Sequence, residues 1–482
     1  MLETGVPNLD RILGGGIPAG DILLVTGPAG SGKTTLALQT AFHTASRGQN
    51  VLYVSTASES PPRLLKHISS FSFFEESLIG KGLFLVILHP LMTQGIEKTI
   101  DTILHQARDH QARLVIIDGL MSVRDLFPQT TEMRAFLYQL GATLAALDAT
   151  TILTSIPLDR ADESLLPELA MADGIIELDQ QDQGTLTVRT IRARKMRGLA
   201  PLLGQHTLRI DDGGLTVFSR IESVFQFQDA GLSLERVPTG LPELDEMIAG
   251  GFPAGSVTVL AGAMGTGKTL ACLQYIVEGT RRGEKNLFLG FRESPRQLID
   301  KARAFGMDLE TPIKNGLVTI LARPQVNLVA DEVTWEVWRE VERLAPKRLA
   351  IDSVVELEQA VVDPHRRRGF MAVLTGMLRQ AGVTSLITTE IAQVIGPELD
   401  FSGTPLAFLA ENLLLLRSAE FRGELVPILS VLKMRDSAFD RSIRQYSITN
   451  TGFKVLAKVD SAEGVLTGIA HLTTEIRRRG SR

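Results

Sequence analysis

The sequence predicts an α/β protein of two tandem domains. Each domain is expected to be a mostly parallel twisted sheet flanked by helices, with an added antiparallel edge. Three observations predict this. A whole domain is written twice, short β-rich apolar runs alternate with helical patterns, and a glycine-rich loop sits between strand and helix in both halves. The 482 residues have room for roughly two to four domains of ~100–200 residues. With 44% hydrophobic and 22% charged residues, wholesale disorder is excluded.

The repeat is read directly. Residues 4–35 are TGVPNLDRILGGGIPAGDILLVTGPAGSGKTT, and residues 239–270 are TGLPELDEMIAGGFPAGSVTVLAGAMGTGKTL. Thr4 and Thr239 lie 235 apart, as do Lys33 and Lys268. Ser58-Glu59-Ser60-Pro61 matches Arg292-Glu293-Ser294-Pro295 at an offset of 234, and 113–118 (RLVIID) matches 347–352 (KRLAID) at the same offset. Lys195-Met196-Arg197 matches Lys433-Met434-Arg435 at 238. A period this long is a duplicated domain rather than a solenoid repeat. The domains are placed at 1–228 and 229–482, with the junction inside 226–235 beyond the turn cluster Asp211-Asp212-Gly213-Gly214.

Within the first copy, the apolar runs 22–26, 51–55, 83–88, 114–117 and 151–154 read as buried strands. Residues 36–47, 62–69, 96–111 and 134–147 read as the helices between them. Strand–helix alternation requires crossovers, and so a parallel sheet covered on both faces. After Asp173 the character changes. Residues 175–178, 185–193 and 205–210 read as antiparallel strands added to one edge, echoed at 412–416, 424–433 and 443–448.

Gly27-Pro28-Ala29-Gly30-Ser31-Gly32-Lys33-Thr34 fits G-x-x-x-x-G-K-[ST] in full, and Gly262-Ala263-Met264-Gly265-Thr266-Gly267-Lys268-Thr269 fits it again. Each follows an expected strand and opens an expected helix, the context that makes the motif a P-loop for nucleoside triphosphate. Its glycines let backbone N–H groups turn inward around phosphate oxygens, and the helix N-terminus adds partial positive charge. Gly27, Gly30, Ser31, Gly32, Lys33, Thr34 and Thr35 are expected to bind ATP in the first domain. Gly262, Gly265, Thr266, Gly267, Lys268, Thr269 and Leu270 are expected to do so in the second. Lys33 and Lys268 face the β- and γ-phosphates, and Thr34 and Thr269 bind Mg²⁺.

Asp118 and Asp352 end apolar strands, where a carboxylate faces the loop and holds the Mg²⁺ shell, usually through water. Hydrolysis also needs a group to position or deprotonate the attacking water. Glu59 and Glu293 are the candidates, each a few residues beyond the second strand. Lys195 with Arg197, and Lys433 with Arg435, sit in a late strand whose alternation puts each pair on one face. Two cations there suit phosphoryl charge, in the same subunit or a neighbour; a solvated basic edge strand is the competing reading.

Together these residues are similar to the KaiC family of RecA-like ATPases over nearly the whole chain. The leader T-G-x-x-x-L-D-x-x-x-x-G-G-x-P-x-G begins at Thr4 and Thr239. The K-M-R-G/D block follows in both halves, and Glu420-Phe421-Arg422-Gly423-Glu424 resembles the segment before it in clock proteins. The resemblance implies a two-tiered homohexamer with ATP between subunits, so that Lys195, Arg197, Lys433 and Arg435 act in trans. It also implies, for clock members, autophosphorylation of an adjacent Ser-Thr pair in the second domain and a small thioredoxin-like partner, KaiB.

The chain departs from the family twice. Paired glutamates are usual before the S/T-P of the second-strand loop, but here Ser58 and Arg292 replace the first of each pair. Arg292 is expected to lower the pKa of Glu293, or to pair with it, so that slow turnover resides mainly in the first tier. Counting back from Glu420 puts Ala407-Phe408 where the phospho-acceptors belong, with the hydroxyls of Ser402 and Thr404 nearby. An ATPase is therefore expected and a Ser/Thr autokinase disfavoured. A nucleic-acid-translocating ring is disfavoured too. His365-Arg366-Arg367-Arg368-Gly369 could line a channel, but the first copy has Thr130-Thr131-Glu132-Met133-Arg134 there, and the chain carries a net −5 with a pI near 6.0. One cysteine, Cys272, leaves no disulfide framework or multi-cysteine metal site, and no apolar run approaches the ~18–20 residues of a membrane span. A reducing cytoplasm is the expected location.

Overall fold

The structure is a computed structural model describing residues 1–56, 61–88, 96–124, 127, 130–156, 167–183, 186–226, 233–391, 409–421, 424–459, 462–463 and 471–472. The chain divides into two compact units, Met1–Val224 and Phe225–Arg482.

The first unit is built on β1 (Ile22–Thr26), β2 (Val51–Ser55), β3 (Leu83–Ile87), β4 (Leu114–Asp118) and β5 (Thr150–Ser155). β6 (Gly174–Gln183), β7 (Leu186–Met196), β8 (His206–Asp211) and β9 (Gly214–Phe218) complete one nine-stranded sheet, in the order β3-β2-β4-β5-β1-β6-β7-β8-β9. Alternation along the strands fills both faces. Leu23, Val25, Val51, Tyr53, Leu114 and Ile116 pack on the side of the helix Lys33–Ser46. Leu24, Leu52, Val54, Val115 and Ile117 pack with buried residues of the helices Ile96–Asp109 and Thr130–Ala146. That two-sided burial is why the strands read as unbroken apolar runs.

The second unit repeats the plan. β10 (Arg236–Val237) and β11 (Phe252–Pro253) form a short ribbon in the leader. The main sheet uses β12 (Val257–Gly262), β13 (Asn286–Gly290), β14 (Val318–Ala322), β15 (Arg348–Asp352) and β16 (Thr384–Glu390). β17 (Asn412–Phe421), β18 (Glu424–Met434), β19 (Arg444–Thr449) and β20 (Gly452–Lys458) follow, in the order β14-β13-β15-β16-β12-β17-β18-β19-β20. Strand by strand, this is the order of the first unit.

Two expectations are corrected. The first strand after Asp173 is parallel to the sheet, not antiparallel: β6 pairs with β1 from Leu23↔Gly174 to Thr26↔Glu177, and β17 pairs with β12 in the same sense. Antiparallel pairing starts at β7 and β18. An apolar run does not encode its direction, which the path of the preceding chain sets. The added edge also holds one more strand than expected. Residues 214–218, to which the sequence reading assigns no element, fold back as β9 across the Asp211–Gly214 turn, where the Asp211 carboxylate accepts from the Gly213 N–H at 2.8 Å.

A glutamine, buried in the first unit and half-buried in the second, ties the edge to the P-loop helix. Gln39 donates to the carbonyls of Gly5 and Leu215 at 3.2 Å and accepts from the Leu215 N–H at 2.7 Å. Gln274 donates to the Phe453 carbonyl at 3.2 Å and accepts from its N–H at 2.8 Å.

Candidate nucleotide sites

β1 is central in its sheet, and the phosphate loop leaves its C-terminal end. Gly32 stands before the helix Lys33–Ser46 with φ of 104°, and Gly267 before Lys268–Arg281 with φ of 90°, a region that disfavours any side chain. The loop also packs close to β6: a Cβ on Gly27 would lie 2.4 Å from the Leu178 carbonyl oxygen. Lys33 Nζ donates to the carbonyls of Gly27 at 2.6 Å and Pro28 at 2.8 Å. Lys268 Nζ donates to those of Gly262 and Ala263, both at 2.8 Å. Each lysine head thus lies over its own loop. Burial pushes both ammonium groups below the ordinary lysine range, opposed by Asp118 in the first unit and by Glu390 and Asp352 in the second.

The strand-end aspartates join the loops. Thr34 Oγ1 donates to Asp118 Oδ2 at 2.9 Å, and Thr269 Oγ1 to Asp352 Oδ2 at 2.6 Å. The neighbouring strand holds the other carboxylate oxygen. Thr154 on β5 donates to Asp118 Oδ1, and Thr388 on β16 to Asp352 Oδ1 at 2.6 Å. Tyr53 adds a phenol to Asp118 at 2.6 Å. By register its counterpart on β13 is Phe288, which has no hydroxyl. Thr154, Thr388 and Tyr53 were not singled out by sequence. They lie inside apolar strands, and only pairing across the sheet shows what their hydroxyls face. Ser31 Oγ in the first loop is buried and makes no hydrogen bond among the described residues.

Of the two candidate acids, Glu59 lies outside the described residues, as do Ser58 and the acceptor positions 402–408. Glu293 lines an open cleft of about 340 Å³ shared with Lys268, Thr269 and Asp352. It is held by an ion pair with Lys301, in the helix Pro295–Ala304. Arg292 does not pair with Glu293, contrary to the expectation. Its Nε donates to Glu356 Oε1 at 2.8 Å and its Nη1 to Glu390 Oε1 at 2.6 Å. The cation beside Glu293 is Lys301, eight residues further along, where the helix turns it back to the loop.

The basic pairs stand elsewhere. Met196 pairs with Gly174, and Gly174 lies against Leu23, near the start of β1. The phosphate loop follows the end of β1, and Gly27 lies four residues beyond Leu23, about 13 Å at ~3.3 Å each. Lys195 Nζ donates to the Ala172 carbonyl at 2.6 Å, and Arg197 pairs with Asp173 at 2.8 Å. Lys433 Nζ likewise donates to the Ala410 carbonyl at 2.6 Å, while Arg435 lies 3.7 Å from Asp436. The strands end at Met196 and Met434, so Arg197 and Arg435 lie just beyond them and not within the strand as expected, and neither pair is brought to the phosphate loop of its own unit.

The sites therefore combine, twice over, a glycine loop, a lysine, a threonine and a strand-end aspartate in one geometry. The family model of the KaiC ATPase matches residues 2–222 and again 237–460. The circadian clock oscillator protein KaiC of Picosynechococcus sp. is 29% identical over 477 residues, covering 97% of this chain and 92% of that protein. KaiC 1 of Synechocystis sp. is 28% identical over 480 residues, covering 97% and 91%. KaiC of Parasynechococcus marenigrum is 27% identical over 496 residues, covering 100% and 95%. No helix among the described residues is long and apolar enough to cross a membrane.

Proposed function

Because the chain belongs to the KaiC family of ATPases, we propose that it is a nucleotide-driven switch ATPase that binds ATP and Mg²⁺ at one site in each unit. The observation that carries this is the matched Lys–Thr–Asp constellation: Lys33, Thr34 and Asp118 in one sheet, Lys268, Thr269 and Asp352 at the same place in the other. The hydroxyl and carboxylate oxygens of each Thr–Asp pair are a hard donor set that suits Mg²⁺. Bound there, Mg²⁺ supplies charge neutralisation to the transferring phosphoryl group. The residues of the chain do the rest. The loop cradles phosphate, the lysine meets the β- and γ-oxygens, and the threonine from the adjacent strand keeps the aspartate turned toward the loop.

The distance from Lys195, Arg197, Lys433 and Arg435 to their own loops supports the trans reading: these cations serve a nucleotide held by the next subunit of a ring. A homohexamer is the assembly this implies, since the relatives over the full chain are clock oscillator KaiC proteins. A small KaiB-like protein is the partner the same likeness suggests. A Ser/Thr autokinase is the disfavoured alternative, because Ala407 and Phe408 carry no acceptor oxygen. A nucleic-acid ring is disfavoured by the acidic chain and by Arg366, which is spent on Asp331 at 2.9 Å rather than free to meet phosphate.

Equilibrium binding tests the two sites. The parent is expected to bind two ATP per chain, and Lys33→Ala and Lys268→Ala one each. Two sites persisting in either variant would sink the assignment.

A further inference from the structure

The second cleft carries a charge cluster that the first lacks. Arg292 on the loop after β13 bridges Glu356, from the helix Val354–Gln359 after the strand-end aspartate, and Glu390 at the end of β16. Glu390 is in register with Gly262, the residue that opens the phosphate loop. Arg292 and Glu390 both line the cleft with Lys268 and Asp352. The counterparts at the 234-residue offset that relates Asp118 to Asp352 are Ser58, Ser122 and Ile156. One cation and two anions are thus present together in one unit, and none of the three in the other.

Glu356 is nearly sealed, with 6% of its side chain exposed, and is also tied to Ser353 and Gln325. Glu390 is more open, at 27%, and only one of its oxygens is bonded to Arg292 in the contacts described. A carboxylate at the mouth of a phosphate loop repels each added phosphate charge, and repels a triphosphate more than a diphosphate. A guanidinium hydrogen-bonded to it removes that repulsion and leaves donors directed into the cleft. We propose that Arg292 and Glu390 set the balance between triphosphate and diphosphate at the second site, Arg292 cancelling a carboxylate that would otherwise expel the terminal phosphate. This rests on the two-site reading above.

The test measures ATP·Mg²⁺ and ADP·Mg²⁺ dissociation constants in a Lys33→Ala background, where only the second site remains. Arg292→Ser is expected to weaken ATP at least ~10-fold and ADP less than ~3-fold, from the added charge of the γ-phosphate. Arg292→Ser with Glu390→Ile, the pair present in the first unit, is expected to return the ATP-to-ADP ratio to within ~3-fold of the parent. Glu390→Ile alone is expected to move the ratio toward ATP. ADP binding reports that each variant is folded, and Glu390→Ile decides the matter if Arg292→Ser does not fold. A ratio that stays put in Arg292→Ser or Glu390→Ile overturns the proposal, as does a double variant that remains shifted. A background protein that binds neither nucleotide overturns the two-site reading as well.

Discussion

Glu293 and Lys301 show how much of a site is decided one side chain at a time. Glu293 sits where the second-strand loop meets the cleft, but its Oε1 is held by Lys301, and its Oε2 is buried with no hydrogen bond among the described residues. The ammonium bonded to this carboxylate draws it off any water it would activate. The residue at the same offset from Lys301 in the first unit is His67. The same asymmetry is expected from the sequence through Arg292, which is instead committed to Glu356 and Glu390. We expect Glu59→Gln to lower steady-state turnover ~10²–10⁴-fold, the usual share of a general base, and Glu293→Gln to change it less than ~3-fold. The reverse order of rates would show that the second unit performs the hydrolysis.

At the scale of the element, the short helix Val354–Gln359 is unusual in burying two acids, Glu356 and Glu358. Glu356 is satisfied by Arg292, Ser353 and Gln325. Glu358 is 8% exposed, and its Oε1 makes no hydrogen bond among the described residues. Burial pushes its carboxyl from 4.5 up to about 7, with Arg367 acting the other way. A folded-state pKa above the unfolded value means that its stability contribution is complete below pH 4.5 and is lost as pH rises through 7. Glu358→Gln is therefore expected to stabilise the second unit by roughly 1–2 kcal/mol at pH 8 and to do nothing at pH 4.5. Denaturant melts at the two pH values check this; equal shifts at both would mean that the proton is not the cause. The corresponding residue in the first copy is Arg124, paired with Glu168, so a matched helix solves a different charge problem.

The whole molecule raises the question of where the phosphate charge is met. Each unit keeps its P-loop at one end of the sheet and its Lys–Arg pair at the other; on the trans reading proposed above, a neighbouring subunit completes each site. Ligand that binds an assembly better than a monomer shifts the population toward the assembly. ATP·Mg²⁺ is expected to drive association. Arg197→Ala and Arg435→Ala are each expected to leave two nucleotides bound per chain while weakening that association, and Arg197→Ala to cut turnover at least ~100-fold as a trans arginine. Sedimentation with and without nucleotide is the measurement. A monomer unmoved by saturating ATP would refute the ring.

The sequence by itself determined the duplication, the sheet class, both phosphate loops and the strand-end aspartates. These are local: a P-loop is eight consecutive residues, and a buried parallel strand advertises itself as an apolar run. It also marked the replaced positions Ser58 and Arg292. Only the tertiary structure decided what Arg292 touches, because Glu356 and Glu390 lie 64 and 98 residues away and reach it through a shared sheet end. Only pairing showed that Thr154, Thr388 and Tyr53 orient the aspartates, since a hydroxyl within an apolar strand has no local sign of its partner. The direction of β6 and the existence of β9 were likewise set by where neighbouring strands lay. Position along the chain names the residues of a site, but distance between chain-remote groups decides their charge and their task.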